Sequence, residues 1–267
     1  MMSRKDGFLA LLVVVVWGLN FVVIKVGLHH MPPLLLAGLR FLLVAFPAIF
    51  FVARPKVPLT LLLGYGLTIS FGQFAFLFCA IKFGMPAGLA SLVLQAQAFF
   101  TMALGAFVFS ERLQRKQLAG IALAIIGVLV LIEASLNGQH IAMSLVVWSA
   151  LIPILPFLLS SLLLEGADHI TQSLITIDMT TILSLLYLAF VATILGYGIW
   201  GALLGRYETW RVAPLSLLVP VVGLASAAVL LGETLTGMQL AGAVLIMAGL
   251  YINVFGFRVR RTARVRG

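Results

Sequence analysis

The amino-acid sequence predicts an all-α membrane protein, a polytopic helix bundle, on three observations. Apolar residues make up 63% of the 267 and charged residues only 9%, with a mean hydropathy of +1.19. The apolar residues gather in runs of about 20, the helical length that crosses a hydrocarbon core of roughly 30 Å. These runs do not alternate polar and apolar residues as the strands of an outer-membrane barrel would. A water-soluble domain carries about a quarter of its residues charged, so that class is excluded. So are disordered and collagen-like chains, and one cysteine cannot build a disulfide scaffold.

Nine runs follow in order. The first, Gly7–Leu28, has Arg4 and Lys5 before it but is long, holds Asn20 and Lys25, and lacks a cleavage site, so it reads as a retained anchor and not as a signal peptide. Leu34–Ala53, Leu59–Ile81, Ala87–Phe109 and Gln117–Ile132 follow, then Met143–Leu164, Thr180–Leu204, Ala213–Leu231 and Leu240–Phe257. The longest connection, Glu165–Met179, is too short to bury a core, so no appended soluble module is expected. The net charge of +9 invites a nucleic-acid reading, but five of the seventeen Lys and Arg lie in the basic tail 258–267. Most others separate apolar runs. Their partners are then the lipid bilayer and the cytoplasm, with no nucleic acid.

An internal duplication organises the chain. Ser110–Gly120 matches Gly232–Gly242 at a constant offset, pairing Glu111 with Glu233, Leu113 with Leu235 and Gln117 with Gln239. Arg112, Arg115 and Lys116 lie in the first copy, while the second has no basic residue. The positive-inside rule puts these loops on opposite sides, which makes an inverted repeat. The first unit, 7–132, supplies five helices, whereas the second, 143–257, supplies four. Nine crossings would leave the basic tail outside and the acidic loop of Glu165, Asp168 and Asp178 inside. Two arrangements repair this. Either a ten-helix fold has lost its sixth helix, roughly 30 residues, or Pro153 and Pro156 break Met143–Leu164 into a re-entrant hairpin. Both return the N- and C-termini to the cytoplasm. A lost helix also predicts a vacated groove, with lower stability or homodimer formation to fill it.

Tandem five-helix units, Trp17-Gly-Leu-Asn20 in the first span and the repeated Glu-Xaa-Leu…Gln-Leu-Ala-Gly resemble the EamA family of drug/metabolite transporters. Ala10–Val26, Leu62–Gln97 and Tyr207–Gly223 are similar to bacterial inner-membrane exporters of cysteine and O-acetylserine. The resemblance covers essentially the whole chain and departs between Ala142 and Ser144, where such proteins have a sixth helix. It implies ten helices around a central cavity, secondary transport, a small-molecule substrate of this amino-acid kind and no cofactor.

Polar side chains deep in a membrane face a cavity or pair with one another. All eight acids sit in loops or at span edges, which argues against a carboxylate proton relay and against a buried metal site. Trp17 and Asn20, one turn apart, offer an indole wall and an amide to an amino-acid-like solute, although Asn20 could equally bond a neighbouring helix. Lys25, close to the outer end of its span, reads as snorkelling. Arg40 lies about 10 Å into its span, where it could hold a substrate carboxylate or bond backbone carbonyls. Gln73, Gln95 and Gln97 lie near mid-depth, and of the last two at most one faces a cavity squarely. Tyr197 and Trp200 could form a second aromatic wall, or Trp200 an interfacial belt. Glu111 and Glu233 read as charges at helix starts, and Cys79 as packing. His29 and His30 alone make a weak metal case. An intramembrane enzyme would need a catalytic acid, metal cluster or activated nucleophile, and none is visible. No channel filter is either.

Overall fold

The computed structural model describes residues 2–95, 139–207 and 212–234, with single positions 237, 240 and 244. Every element among them is helical. Helix α1 spans Arg4–Gly27, started by Ser3, whose Oγ accepts from the Asp6 N–H at 3.1 Å and donates to Asp6 Oδ2 at 2.7 Å. Helix α2, Pro33–Ala48, begins on a proline, which needs no N–H partner there. Its run continues apolar to Ala53, yet the helix stops just after Pro47 and turns take over. Helix α3, Leu59–Lys82, is continuous but π-helical over Gly66–Gln73. Helix α4 starts at Ala87 and is described to Gln95. The rest of that run, Gln117–Ile132, Gln97, the first repeat copy and the basic tail lie outside the described residues, as does most of Leu240–Phe257.

Helices α5 (Gln139–Ser149) and α6 (Ile154–Leu164) occupy the sixth of the nine runs, joined by a turn ending at Pro153. The hairpin expectation fails here. Trp148 Nε1 donates to the Val52 carbonyl, beyond the end of α2, at 3.0 Å. At the other end Glu165 accepts from the Leu34 N–H, at the start of α2, at 2.7 Å. The segment therefore runs the length of α2, and its prolines interrupt the crossing without reversing it. Helix α7 (Ala167–Ile175) follows. Helix α8 (Met179–Arg206), started by the Asp178 carboxylate on the Thr181 N–H, is π-helical over Tyr187–Leu195. A 3-10 turn, Ala213–Leu217, leads into α9, Leu218–Leu231. That helix ends at Gly232 in the left-handed region (φ +65°), with the Glu233 N–H returning to the Ala227 carbonyl.

The contacts define two opposite faces. Asp6 takes a hydrogen bond from Tyr207 at 2.6 Å and pairs with Arg206 at 3.2 Å, which puts the start of α1 beside the end of α8. Arg4, Lys5, Arg54 and Lys56 belong to this basic face. On the other face Lys25 pairs with Glu233, Lys82 donates to the Leu28 carbonyl, and Glu165 caps α2. With Asp168 and Asp178 this face is acidic. Lys25 therefore meets a carboxylate at this rim, with its side chain still 34% exposed. Glu233 does meet a helix start, but that of α4: its carboxylate accepts from the Ala87 and Gly88 N–H groups at 2.9 and 3.1 Å.

Helix α1 sits centrally, packed on α9, α8 and α4. Small residues set the closest approach. A Cβ on Gly18 would come within 2.5 Å of Val222, and one on Gly223 within 2.6 Å of Ser91 Oγ. A second seam joins α2, α3 and α6, where Phe71 and Phe157 cross edge to face at 4.8 Å and Phe41 stacks on Phe157 at 5.8 Å. Large apolar side chains such as Phe50, Phe51, Phe76 and Leu163 point outward, as a lipid-facing surface requires.

Candidate functional site

A cavity of about 210 Å³ lies between α1, α2, α3, α4, α8 and the entry to α9. Five residues singled out in the sequence line it: Trp17, Asn20, Arg40, Gln95 and Tyr197. Three others stand differently. Gln73, at the end of the π-helical stretch of α3, is not part of the lining, and Gln97 lies outside the described residues. Trp200 packs tilted against Trp17, centroids 5.3 Å apart, and is not among the residues of the cavity lining.

On α1 the spacing of Trp17, Asn20 and Phe21 puts them on one stripe, and on α4 the spacing of Ser91, Leu94 and Gln95 does the same. Trp17 Nε1 donates to the Ala192 carbonyl at 3.0 Å, and its ring meets Tyr197 at 5.1 Å. This approach depends on Gly196, where a Cβ would sit 2.6 Å from the indole nitrogen. Tyr187 donates to the Val16 carbonyl at 2.8 Å. Both α1 anchors thus fall on the π-helical part of α8. Gln95 Nε2 donates to the Ser216 carbonyl at 2.7 Å, closing the cavity toward α9.

Arg40 is 3% exposed. Its Nη2 and Nε donate to Thr193 Oγ1 at 2.9 and 3.3 Å, and that hydroxyl donates onward to the Leu188 carbonyl. The guanidinium carbon stands 4.4 Å from the Phe74 ring centroid, a cation–π contact that offsets part of its desolvation. Nη1 is buried with no hydrogen-bond partner, and no Asp or Glu is among the described residues that line the cavity. A buried guanidinium with an unused donor is costly, since leaving a buried charge unmatched costs several kcal/mol. Asn20 Oδ1 is likewise buried without a partner.

Thr193 and Phe74 were not singled out in the sequence. A threonine or phenylalanine in an apolar run carries no signal of its own. The clue was indirect, because a mid-membrane arginine demands an acceptor on some neighbouring helix. A second hollow of about 680 Å³ opens at the acidic face beside His29, His30, His169, Lys82 and Glu165. No group of three or more metal-holding side chains forms among the described residues.

A bundle of apolar helices around a cavity that holds one buried arginine, with the other described charged residues toward the two rims, is the architecture of a membrane solute carrier. The chain belongs to the EamA-like transporter family, whose sequence pattern matches residues 6–133 and again 136–255. A Salmonella typhimurium (strain LT2) protein called a "probable amino-acid metabolite efflux pump" is 89% identical over 299 aligned positions covering all of both chains. An Escherichia coli (strain K12) protein of the same description is 73% identical over 99% of each chain. The 299 aligned positions exceed the 267 residues of this chain by 32, so at least that many have no counterpart here.

Proposed function

We propose that the chain is a bacterial inner-membrane secondary transporter that exports small amino-acid metabolites, with cysteine and O-acetylserine as substrates, through the cavity described above. The observation that carries the reading is Arg40, a buried cation with a spare donor in a cavity that has no acid among its described lining residues. A substrate α-carboxylate supplies the missing charge. Trp17 and Tyr197 give the apolar wall. The relatives called efflux pumps support the same class. By the positive-inside rule the basic face, with Arg4, Lys5, Arg54, Lys56 and Arg206, is cytoplasmic, and both termini lie on that side.

A second reading has its own support: a ten-helix carrier that lost its sixth helix, with altered or absent transport. Helix α4 sets out from the acidic face and α5 from the basic face, a pairing that calls for an even number of crossings between them. The intervening sequence offers one apolar run, Gln117–Ile132, and the 299-position alignment leaves 32 positions unmatched. In this reading a second copy fills the vacated groove as a homodimer.

Purified protein in liposomes, assayed for labelled O-acetylserine uptake, tests both readings. The expected result is flux that Arg40→Met abolishes. Flux only in a form with the sixth helix restored after Ala142 would make this chain an inactive relative. Flux indifferent to Arg40→Met would refute the carboxylate site.

A further inference from the structure

Two buried polar atoms on residues that line the cavity lack partners, and they are of opposite kind. Arg40 Nη1 is a donor and Asn20 Oδ1 an acceptor. The third such atom among the described residues, Thr181 Oγ1, sits at the start of α8 and is not part of this lining. An amide oxygen kept out of water without a donor carries a desolvation penalty that a bound donor removes. Packing does not account for it, because an Asn that tied α1 to a neighbour would spend its oxygen on that helix. We infer that Asn20 reads the free amino group of the substrate, its Oδ1 accepting from the ammonium of a solute whose carboxylate lies on Arg40. This rests on the carboxylate reading above and narrows it to solutes that present both groups.

The surroundings fit a single ammonium. The Trp17 and Tyr197 rings belong to the same lining, and aromatic rings attract a cation. The acceptor is neutral, and no carboxylate is at hand among the lining residues to match a second positive charge. Amino acids with one ammonium are then favoured over those with a basic side chain. Desamino analogues leave the Asn20 oxygen unpaired, and N-acylated ones lose the positive charge. A polar group built to be matched discriminates strongly against a ligand that cannot match it.

The test is a binding measurement on the full chain in lipid nanodiscs, by isothermal titration, with cysteine and 3-mercaptopropionate, its desamino analogue, in reducing buffer. Wild type is expected to prefer cysteine by about tenfold or more. Asn20→Leu should bring cysteine down to the level of the analogue and leave the analogue within about twofold of its wild-type affinity. Asn20→Asp, which keeps an acceptor in place, should retain the preference. If Asn20→Leu does not fold, Asn20→Ser, whose shorter side chain withdraws the oxygen, carries the same expectation. An Asn20→Leu or Asn20→Ser variant that weakens both ligands alike, or leaves the preference intact, overturns the inference. Arg40→Met separates the two claims. Its failure to weaken either ligand refutes the carboxylate site while a lost preference in Asn20→Leu still stands, and a wild-type protein that binds neither probe overturns both.

Discussion

Glu233→Ala tests whether a carboxylate from beyond α9 holds the acidic rim together. In the structure this side chain is 10% exposed and takes three donors: Lys25 Nζ and the N–H groups of Ala87 and Gly88. The helix-capping part is worth about 1–2 kcal/mol. Lys25 is 34% exposed, so solvent screening limits its share to about 1 kcal/mol. The expected loss is therefore about 2–3 kcal/mol, a fall in Tm of several degrees for a domain of this size. Glu233→Gln, which still accepts one hydrogen bond, should lose about half as much. Thermal unfolding of detergent-purified variants, with Lys25→Met and the double variant closing the cycle, gives each share. Glu233→Ala within about 0.5 kcal/mol of wild type would refute the reasoning, since that is the ordinary scatter of surface substitutions. The pH dependence has a definite sign. Burial alone would raise the Glu233 pKa, but the Lys25 and backbone hydrogen bonds outweigh it and hold the carboxyl below its ordinary value. Its contribution is then complete above the unfolded carboxyl's pKa of about 4.3, and is lost as the pH falls through the lower folded value. Glu233→Gln should flatten that acid limb.

Three further outcomes are expected. Thr193→Val removes the only acceptor that the Arg40 guanidinium has among the described residues and should cost about 3 kcal/mol or more; adding Arg40→Met should recover part of it, and a double variant no better than Thr193→Val would contradict the pairing. Gly196→Ala drives a Cβ into the Trp17 indole and should cost about 1–3 kcal/mol, with a shift in tryptophan emission as the check. Tyr207→Phe removes a hydrogen bond to Asp6 and should lower stability by about 1 kcal/mol, whereas an unchanged melting curve would mean the Arg206 pair alone holds that corner.

Much of the arrangement could be read from the residues. Polar side chains deep in apolar runs have to converge, and Trp17, Asn20, Arg40, Gln95 and Tyr197 do converge on one cavity. Gln73 shows where that reasoning fails. Its helix turns π-helical from Gly66 onward, which changes the face each later residue presents, and a periodicity count assumes a regular α-helix. The same limit hid Thr193, which a second π-helical stretch brings to Arg40. Proline composition raised a hairpin for Met143–Leu164, yet Pro153 falls where a turn already interrupts the helix. The partner of Lys25, Glu233, was not legible because it lies more than two hundred residues away.

The two carboxylates that close foreign helix ends divide the acidic rim into clasped halves. Glu233 gathers α1, α4 and the segment leaving α9, while Glu165 gathers α2 and the end of α6. Asn20 rides on the first half and Arg40 on the second. Any sliding that parts the rim between the clasps would draw those two residues away from each other, so a solute bridging them would lose one hold as the exit widens.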